Sequence, residues 1–280
     1  MRVRERDDRP LPAEYEWLVG SKFGLIEGVH LWYPERGGPQ VYLGTATVTD
    51  VGALRDDGVG VPDGGGKGLT PREALRSAVG EAVERYCLFW PDEDRIERAT
   101  HAALDADRSV VDLDAVDVMT RRVEGIGRPL DSEAELSWTH GTNLLTGDRA
   151  WLPAQLVWSR TGPLADEPRY VPGTTSGAAA GPDLREAVVG GLTELVERDA
   201  LARTWLDGSP PRRVDLDAVP DLRARVDDLL PTDRFEVHVL ALESQVDLPV
   251  YGVALVRERD ASPKFVFGSA AGFDPRATIL

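Results

Sequence analysis

The chain repeats itself. Moved forward by 113 positions, Gly68 falls on Gly181, Arg72 on Arg185, Glu73 on Glu186, Ala74 on Ala187, Glu81 on Glu194, Glu84 on Glu197 and Arg85 on Arg198. The shared pattern is G-x-x-x-R-E-A, six residues, then E-x-x-E-R. A single Glu and Arg four apart on a helix form an ordinary surface pair of about 0.2–0.5 kcal/mol. Two copies in one frame, each launched from a glycine-rich stretch, call for a common structural or chemical cause.

Both copies carry helix signals. In LTPREALRSAVGEAVERYCLFW, Thr70 is an N-cap, Pro71 suits the first helical position and Glu73 completes a capping box. Leu75, Val79, Ala82, Val83 and Tyr86 recur at helical spacing and predict one buried face. The second helix is predicted over PDLREAVVGGLTELVERDALARTWL. Residues four, seven and eight apart share a helix face, so Ser77, Glu81, Glu84 and Arg85 form one stripe and Gly190, Glu194, Glu197 and Arg198 another. Stripes that face each other would gather four glutamates in one crevice, with Glu186 as a fifth. Such crowding calls for cations, and Mg²⁺ with carboxylates, water and phosphate is the natural solution. The two arginines would then meet phosphate. The alternative is that Arg85 and Arg198 only neutralise their own glutamates in a polar network with no ligand.

Elsewhere the chain mixes strands and helices without a βαβ rhythm, so an α+β fold with mixed or antiparallel sheets is expected. Residues 1–20 read as a loosely attached lead-in. Residues 41–50 read as a strand. Residues 59–68, with five glycines and a proline, and residues 173–181 read as loops. A helix is expected near 113–123, then a break at Gly125, Gly127 and Pro129. A hairpin is expected in LSWTHGTNLLTGDRAWLPAQLVW, and short strands in FEVHVLALES, PVYGVALVRE and KFVFGSAAG.

Composition narrows the function. With 32 Lys plus Arg against 48 Asp plus Glu, the net charge is −16 across 280 residues, a field that repels nucleic acid and anionic membranes. No apolar run is long enough to span a bilayer and no export signal opens the chain, so a cytoplasmic protein is expected. A single cysteine, Cys87, excludes internal disulfides and is expected to be a buried thiol. His30, His101, His140 and His238 lack metal-ligand spacing and are expected to be structural or exposed. GGGKG is no Walker loop, because Gly68 stands where Ser or Thr is needed.

The paired segments resemble the YcaO superfamily, whose ATP sites use S-x-x-x-E-x-x-E-R and then N-x-x-x-E followed by E-x-x-E-R. The first stands here as Ser77, Glu81, Glu84 and Arg85, the second as Glu186, Glu194, Glu197 and Arg198, with Pro182 in place of the asparagine. WTHGTNLLTGDRAWLPAQLV is similar to the subgroup that makes azoles in ribosomal peptides. The resemblance implies ATP and Mg²⁺ as cofactors. Glu81, Glu84, Glu186, Glu194 and Glu197 would serve the metal, with Ser77, Lys67, Arg85 and Arg198 at the nucleotide.

It implies ATP-dependent cyclodehydration of Cys, Ser or Thr in a precursor peptide. Thioamide formation and a non-catalytic scaffold are the alternatives. Expected partners are that peptide, an E1-like leader-binding protein acting in trans and a second copy of the chain, with neither nucleic acid nor membrane. Gly272, Asp274, Pro275 and Arg276 open a third copy of the repeat at an offset of 91. Similar proteins continue there into a third motif and a proline-rich tail, so the domain spanning 21–280 is expected to be incomplete, and no catalytic residue is assigned.

Overall fold

The computed structural model describes residues 11–50, 59–105, 108–112, 133–159, 164, 166–170, 173–208, 210–230, 235–257 and 264–280. The described chain carries mixed helices and antiparallel pairings, and it divides into two compact units. The helix expected near 113–123 and the break after it lie outside the described residues.

The first unit joins the N-terminal residues, Gly64–Ala82 and Ser176–Leu280. Strands β1 (Ile26–Trp32), β2 (Tyr42–Val48) and β3 (Gly64–Gly68) form one sheet in that order. The glycine-rich stretch expected to be a loop is therefore in part a strand, paired antiparallel to β2 from Tyr42↔Gly68 to Ala46↔Gly64. Its glycines serve packing. Helix α1 (Pro71–Phe89) buries Ala74, Leu75, Ala78, Val79 and Ala82. A Cβ on Gly64, Gly66 or Gly68 would lie under 3.0 Å from backbone atoms of Ala74, Ala78 or Ala82. Glycine facing alanine lets α1 rest directly on the strand, which no larger residue allows. Val83 and Tyr86, expected on the buried face, are only half-buried.

The three copies of the repeat begin their helices alike. Thr70 Oγ1 accepts the N–H of Glu73 at 3.2 Å, and Glu73 Oε2 accepts the N–H groups of Leu69 and Thr70, completing the capping box. Asp183 caps α3 (Leu184–Asp207) through Glu186 N–H at 2.8 Å, and Asp274 caps the short α5 (Pro275–Ile279) through Arg276 N–H at 2.9 Å. Ahead of each cap a glycine packs against the first turn. A Cβ on Gly68 or Gly181 would come within 2.6 Å of the nitrogen of Ala74 or Ala187 in frame, and one on Gly272 within 2.5 Å of Thr278. The recurring glycine thus has a steric cause independent of any ligand.

Helix α3 packs on a second sheet of order β10–β9–β8–β7, made of β7 (Arg212–Arg213), β8 (Glu236–Leu242), β9 (Val250–Val256) and β10 (Phe265–Ala271), all antiparallel. Ala200 of α3 joins Leu242 and Val250 in one cluster, and α4 (Pro220–Leu229) sends Leu222 and Val226 against Val239. The lead-in is held more firmly than expected from residue 11 onward. A 3₁₀ turn at Ala13–Leu18 buries Leu18, Pro12 is fully buried and Glu14 pairs with Arg72 at 3.3 Å.

The second unit joins Val48–Asp63 and Val83–Thr175. Its sheet runs β4 (Glu97–Ala99), β5 (Leu136–Thr142), β6 (Arg149–Pro153), and β5 with β6 forms the expected hairpin. Trp138 and Leu136 pack with Leu104 of α2 (His101–Asp105). Buried Glu167 accepts Ser137 N–H at 2.6 Å and Gln155 Nε2 at 2.9 Å, so the carboxylate is matched by hydrogen bonds. Among the described residues no helix is long and apolar enough to cross a membrane.

Candidate functional site

The first glutamate of each E-x-x-E-R is fixed in the same way. Glu81 Oε2 accepts the N–H of Gly65 at 2.7 Å, and Glu194 Oε2 accepts the N–H of Gly177 at 3.0 Å. In both cases the helix carboxylate takes a main-chain donor from the glycine-rich stretch before it. Gly177 has φ 87, a left-handed backbone that favours glycine and aims its N–H in this way. The link is charge-assisted and sets side-chain direction.

The second glutamates are placed differently. Glu197 is half-buried, and its Oε1 accepts the hydroxyl of Ser269 on β10 at 2.6 Å. Glu84 and Arg85 stand one turn after Glu81, half-buried. Arg198 reaches Glu194 Oε1 at 3.2 Å, the neutralising pair left open by the sequence. That pair is largely exposed and contributes under about 1 kcal/mol. Lys67, Ser77 and Glu186 are exposed, Lys67 on β3 opposite Leu43.

Among the described residues no three His, Cys, Asp or Glu side chains form a group that could hold a metal ion. Glu81 and Glu194 are each held by a main-chain amide and Glu197 by a hydroxyl. Carboxylate oxygens are hard donors of the kind that Mg²⁺ takes.

Gly65, Gly177 and Ser269 were not predicted. Gly65 and Gly177 lie in stretches whose composition announces only turns, and Ser269 sits 72 residues from Glu197 with no local signal. Cys87 corrects the expectation of a buried thiol. It is exposed, although partial desolvation by its neighbours pushes the thiol up.

A separate concavity of about 710 Å³ lies within the second unit, lined by residues of β4, β5, β6 and their flanks. Arg108 Nη1 pairs with Glu97 at 2.7 Å and its guanidinium lies 4.6 Å above the Trp151 ring. Arg95 Nη2 donates to the His140 carbonyl at 2.9 Å, and the His140 ring stands 5.3 Å from Trp151. His140 Nδ1 is buried and has no hydrogen-bond partner among the described residues. Desolvation, then the charges of Arg149 and Arg95, pushes the imidazole below its usual range.

Comparison with known proteins matches the sequence and the architecture to one family. A structure of YcaO from Methanopyrus kandleri bound with AMPPCP and Mg²⁺ superposes with a TM-score of 0.63 at 24% identity, over 91% of this chain and 59% of that one. A heterocyclase in complex with substrate and cofactor superposes with a TM-score of 0.75 at 25% identity, over 95% of this chain and 38% of that one. The Escherichia coli microcin synthetase McbBCD complex matches at 14% identity with a TM-score of 0.63, a likeness of fold, over 87% of this chain and 58% of that one.

An uncharacterized protein of Methanothermobacter thermautotrophicus is 30% identical over 188 residues, 62% of this chain and 45% of its own length. An uncharacterized protein in the tfuA 3′ region of Rhizobium leguminosarum bv. trifolii is 31% identical over 196 residues, 66% of this chain and 43% of its own. The match thus spans a little under half the length of either relative. The family model described as YcaO cyclodehydratase, ATP- and Mg²⁺-binding, covers residues 65–280, so the chain belongs to the YcaO family.

Proposed function

We propose that the chain takes part in ATP- and Mg²⁺-dependent activation of backbone amides in a ribosomally made precursor peptide, closing azoline rings on Cys, Ser or Thr. The observation that supports this reading best is the pair of matched links, Glu81 to Gly65 and Glu194 to Gly177, which orient one carboxylate in each copy of the repeat.

In this reading Glu81, Glu84, Glu194 and Glu197 would hold Mg²⁺, with Glu186 serving metal and nucleotide. Ser77 and Lys67 contact the nucleotide, while Arg85 and Arg198 reach phosphate or brace the glutamates. Bound Mg-ATP supplies the γ-phosphoryl group that turns an amide oxygen into a leaving group. The Cys, Ser or Thr heteroatom would lose its proton as it adds to the preceding carbonyl carbon, and the resulting oxyanion would take the phosphoryl group, leaving ADP. The amide nitrogen loses its proton as the C–O bond breaks, giving the C=N bond and free phosphate. What this protein contributes is positioning and charge balance. Ser269 and the glycine N–H groups hold the carboxylates in place, and the arginines offset phosphate charge. An E1-like leader-binding protein in trans presents the peptide.

The test is ADP release from the chain with Mg-ATP, with and without a Cys- or Ser-rich precursor peptide, read beside the product mass. Peptide-stimulated ADP release with loss of water supports the reading. An oxygen-to-sulfur exchange would replace it with thioamide formation, and an absence of ATP binding in calorimetry would reduce the chain to a scaffold.

A further inference from the structure

We propose that the concavity on the β4–β5–β6 unit is a docking groove for an acidic stretch of peptide, gripped by the guanidinium groups of Arg95 and Arg149. The choice of a peptide rests on the peptide-modifying reading above.

The charge pattern carries the inference. With 48 acidic side chains against 32 basic ones, an arginine here has many carboxylates to meet, and Arg72, Arg108, Arg198, Arg203, Arg223 and Arg276 each pair with one. Arg95 and Arg149 are among the described arginines that make no ion pair, and these two line the same cavity. The groove's charged lining is Arg95, Arg108 and Arg149 against Asp94 and Glu97, one positive charge in excess on a chain of −16. Glu97 already holds Arg108 flat over Trp151, which stiffens the floor.

Beside desolvation, which lowers the proton affinity of His140 most, Arg149 and Arg95 lower it further, so both cations face the same ring in the groove. An arginine fork matches a carboxylate bidentately. A space of about 710 Å³ takes several side chains and exceeds what one small anion needs. The net charge disfavours a nucleic-acid strand in the same place.

The experiment uses fluorescein-labelled hexaglutamate and the full chain, read by fluorescence anisotropy at about 50 mM salt, where surface charges are weakly screened. Saturable binding that weakens with salt is expected. R149Q should weaken it at least about threefold, and R95Q/R149Q at least about tenfold, with R149K between wild type and R149Q. D94N should tighten it about twofold, a change opposite in direction to any loss from misfolding. Saturating hexaglutamate should raise the pKa of His140 followed by NMR, because a nearby anion offsets Arg95 and Arg149.

The proposal is overturned by any of four results. These are no saturable binding, equal affinity for hexaglutamine, unchanged affinity in the double variant, or tighter binding of a thymidine decamer. Competition by inorganic phosphate at the peptide's own concentration would mark a small-anion site and overturn it too. Binding requires neither ATP nor Mg²⁺, so its failure leaves the nucleotide reading intact, and a failure of ATP turnover leaves the binding result standing.

Discussion

The hydroxyl of Ser269 donates to Oε1 of Glu197 across 2.6 Å, joining the last strand of one sheet to the helix of the second repeat. A hydrogen bond to a carboxylate contributes about 1.5–3 kcal/mol when partly shielded. Ser269→Ala should therefore release Glu197 to other rotamers. Unfolding stability should fall by about 1–2 kcal/mol, and the Mg²⁺ concentration for half-maximal ATP hydrolysis should rise about three- to tenfold. Denaturant titration and a Mg²⁺ series check the two effects separately.

The glutamate stripe is tested by variants that keep an acceptor oxygen. Glu81→Gln and Glu194→Gln can still take the N–H of Gly65 and Gly177, so their melting should stay near wild type while Mg-ATP affinity drops at least about tenfold. Glu84→Gln should abolish nucleotide binding in calorimetry with the fold retained. Wild-type affinity in that variant would remove Glu84 from the site.

Packing of α1 on β3 gives a contrast between two glycines. Gly66→Ala puts a methyl group under 3.0 Å from backbone of Ala74 and Ala78, and backbone cannot swing aside as a side chain can. A loss of about 1–3 kcal/mol is expected. A Cβ on Gly28 of β1 meets nothing within 4 Å, so Gly28→Ala should leave the denaturation midpoint nearly unchanged.

Cys87 gives a direct readout of its exposure. Iodoacetamide should label it in the native protein, which a buried thiol would resist. Only the thiolate reacts, and the thiol is pushed above its ordinary 9.0, so the labelling rate should still be climbing past pH 9.0.

His140 sets a pH dependence with a definite sign. Its pKa is depressed below 6.5 in the folded chain, first by desolvation and then by Arg149 and Arg95. The unfolded chain binds the proton more readily, so this contribution to stability is present above about pH 6.5 and is lost as pH falls from there through the lower, folded value. NMR titration should give His140 a midpoint below 6.5. Replacing Arg149 with Gln should move that midpoint upward.

What could be read in the sequence depended on how local its cause was. Thr70 and Glu73 act within three residues of themselves, and the three helix starts expected after Gly68, Gly181 and Gly272 are present. The hairpin and the strands in 236–256 and 265–271 follow from alternation within one segment. The glycines of β3 were misread because composition signals freedom. Their role is steric and belongs to Ala74, Ala78 and Ala82, which become neighbours only after the helix folds back. Of the candidate site, the helix stripes were legible from periodicity alone. The donors that aim them, Gly65, Gly177 and Ser269, are tertiary and leave no spacing to find. The Arg95–His140–Arg149 groove likewise gathers residues from three separated segments.

The bare contact between β3 and α1 has a mechanical consequence. With no side chains between helix and strand to deform, α1 has almost no freedom to roll or slide against the sheet, and close-packed backbone passes displacement on directly. The link from Gly65 to Glu81 bridges the two sides of that rigid seam. A ligand that pulls on Glu81 therefore pulls on the strand as well, and the carboxylate stays in place against the load of binding.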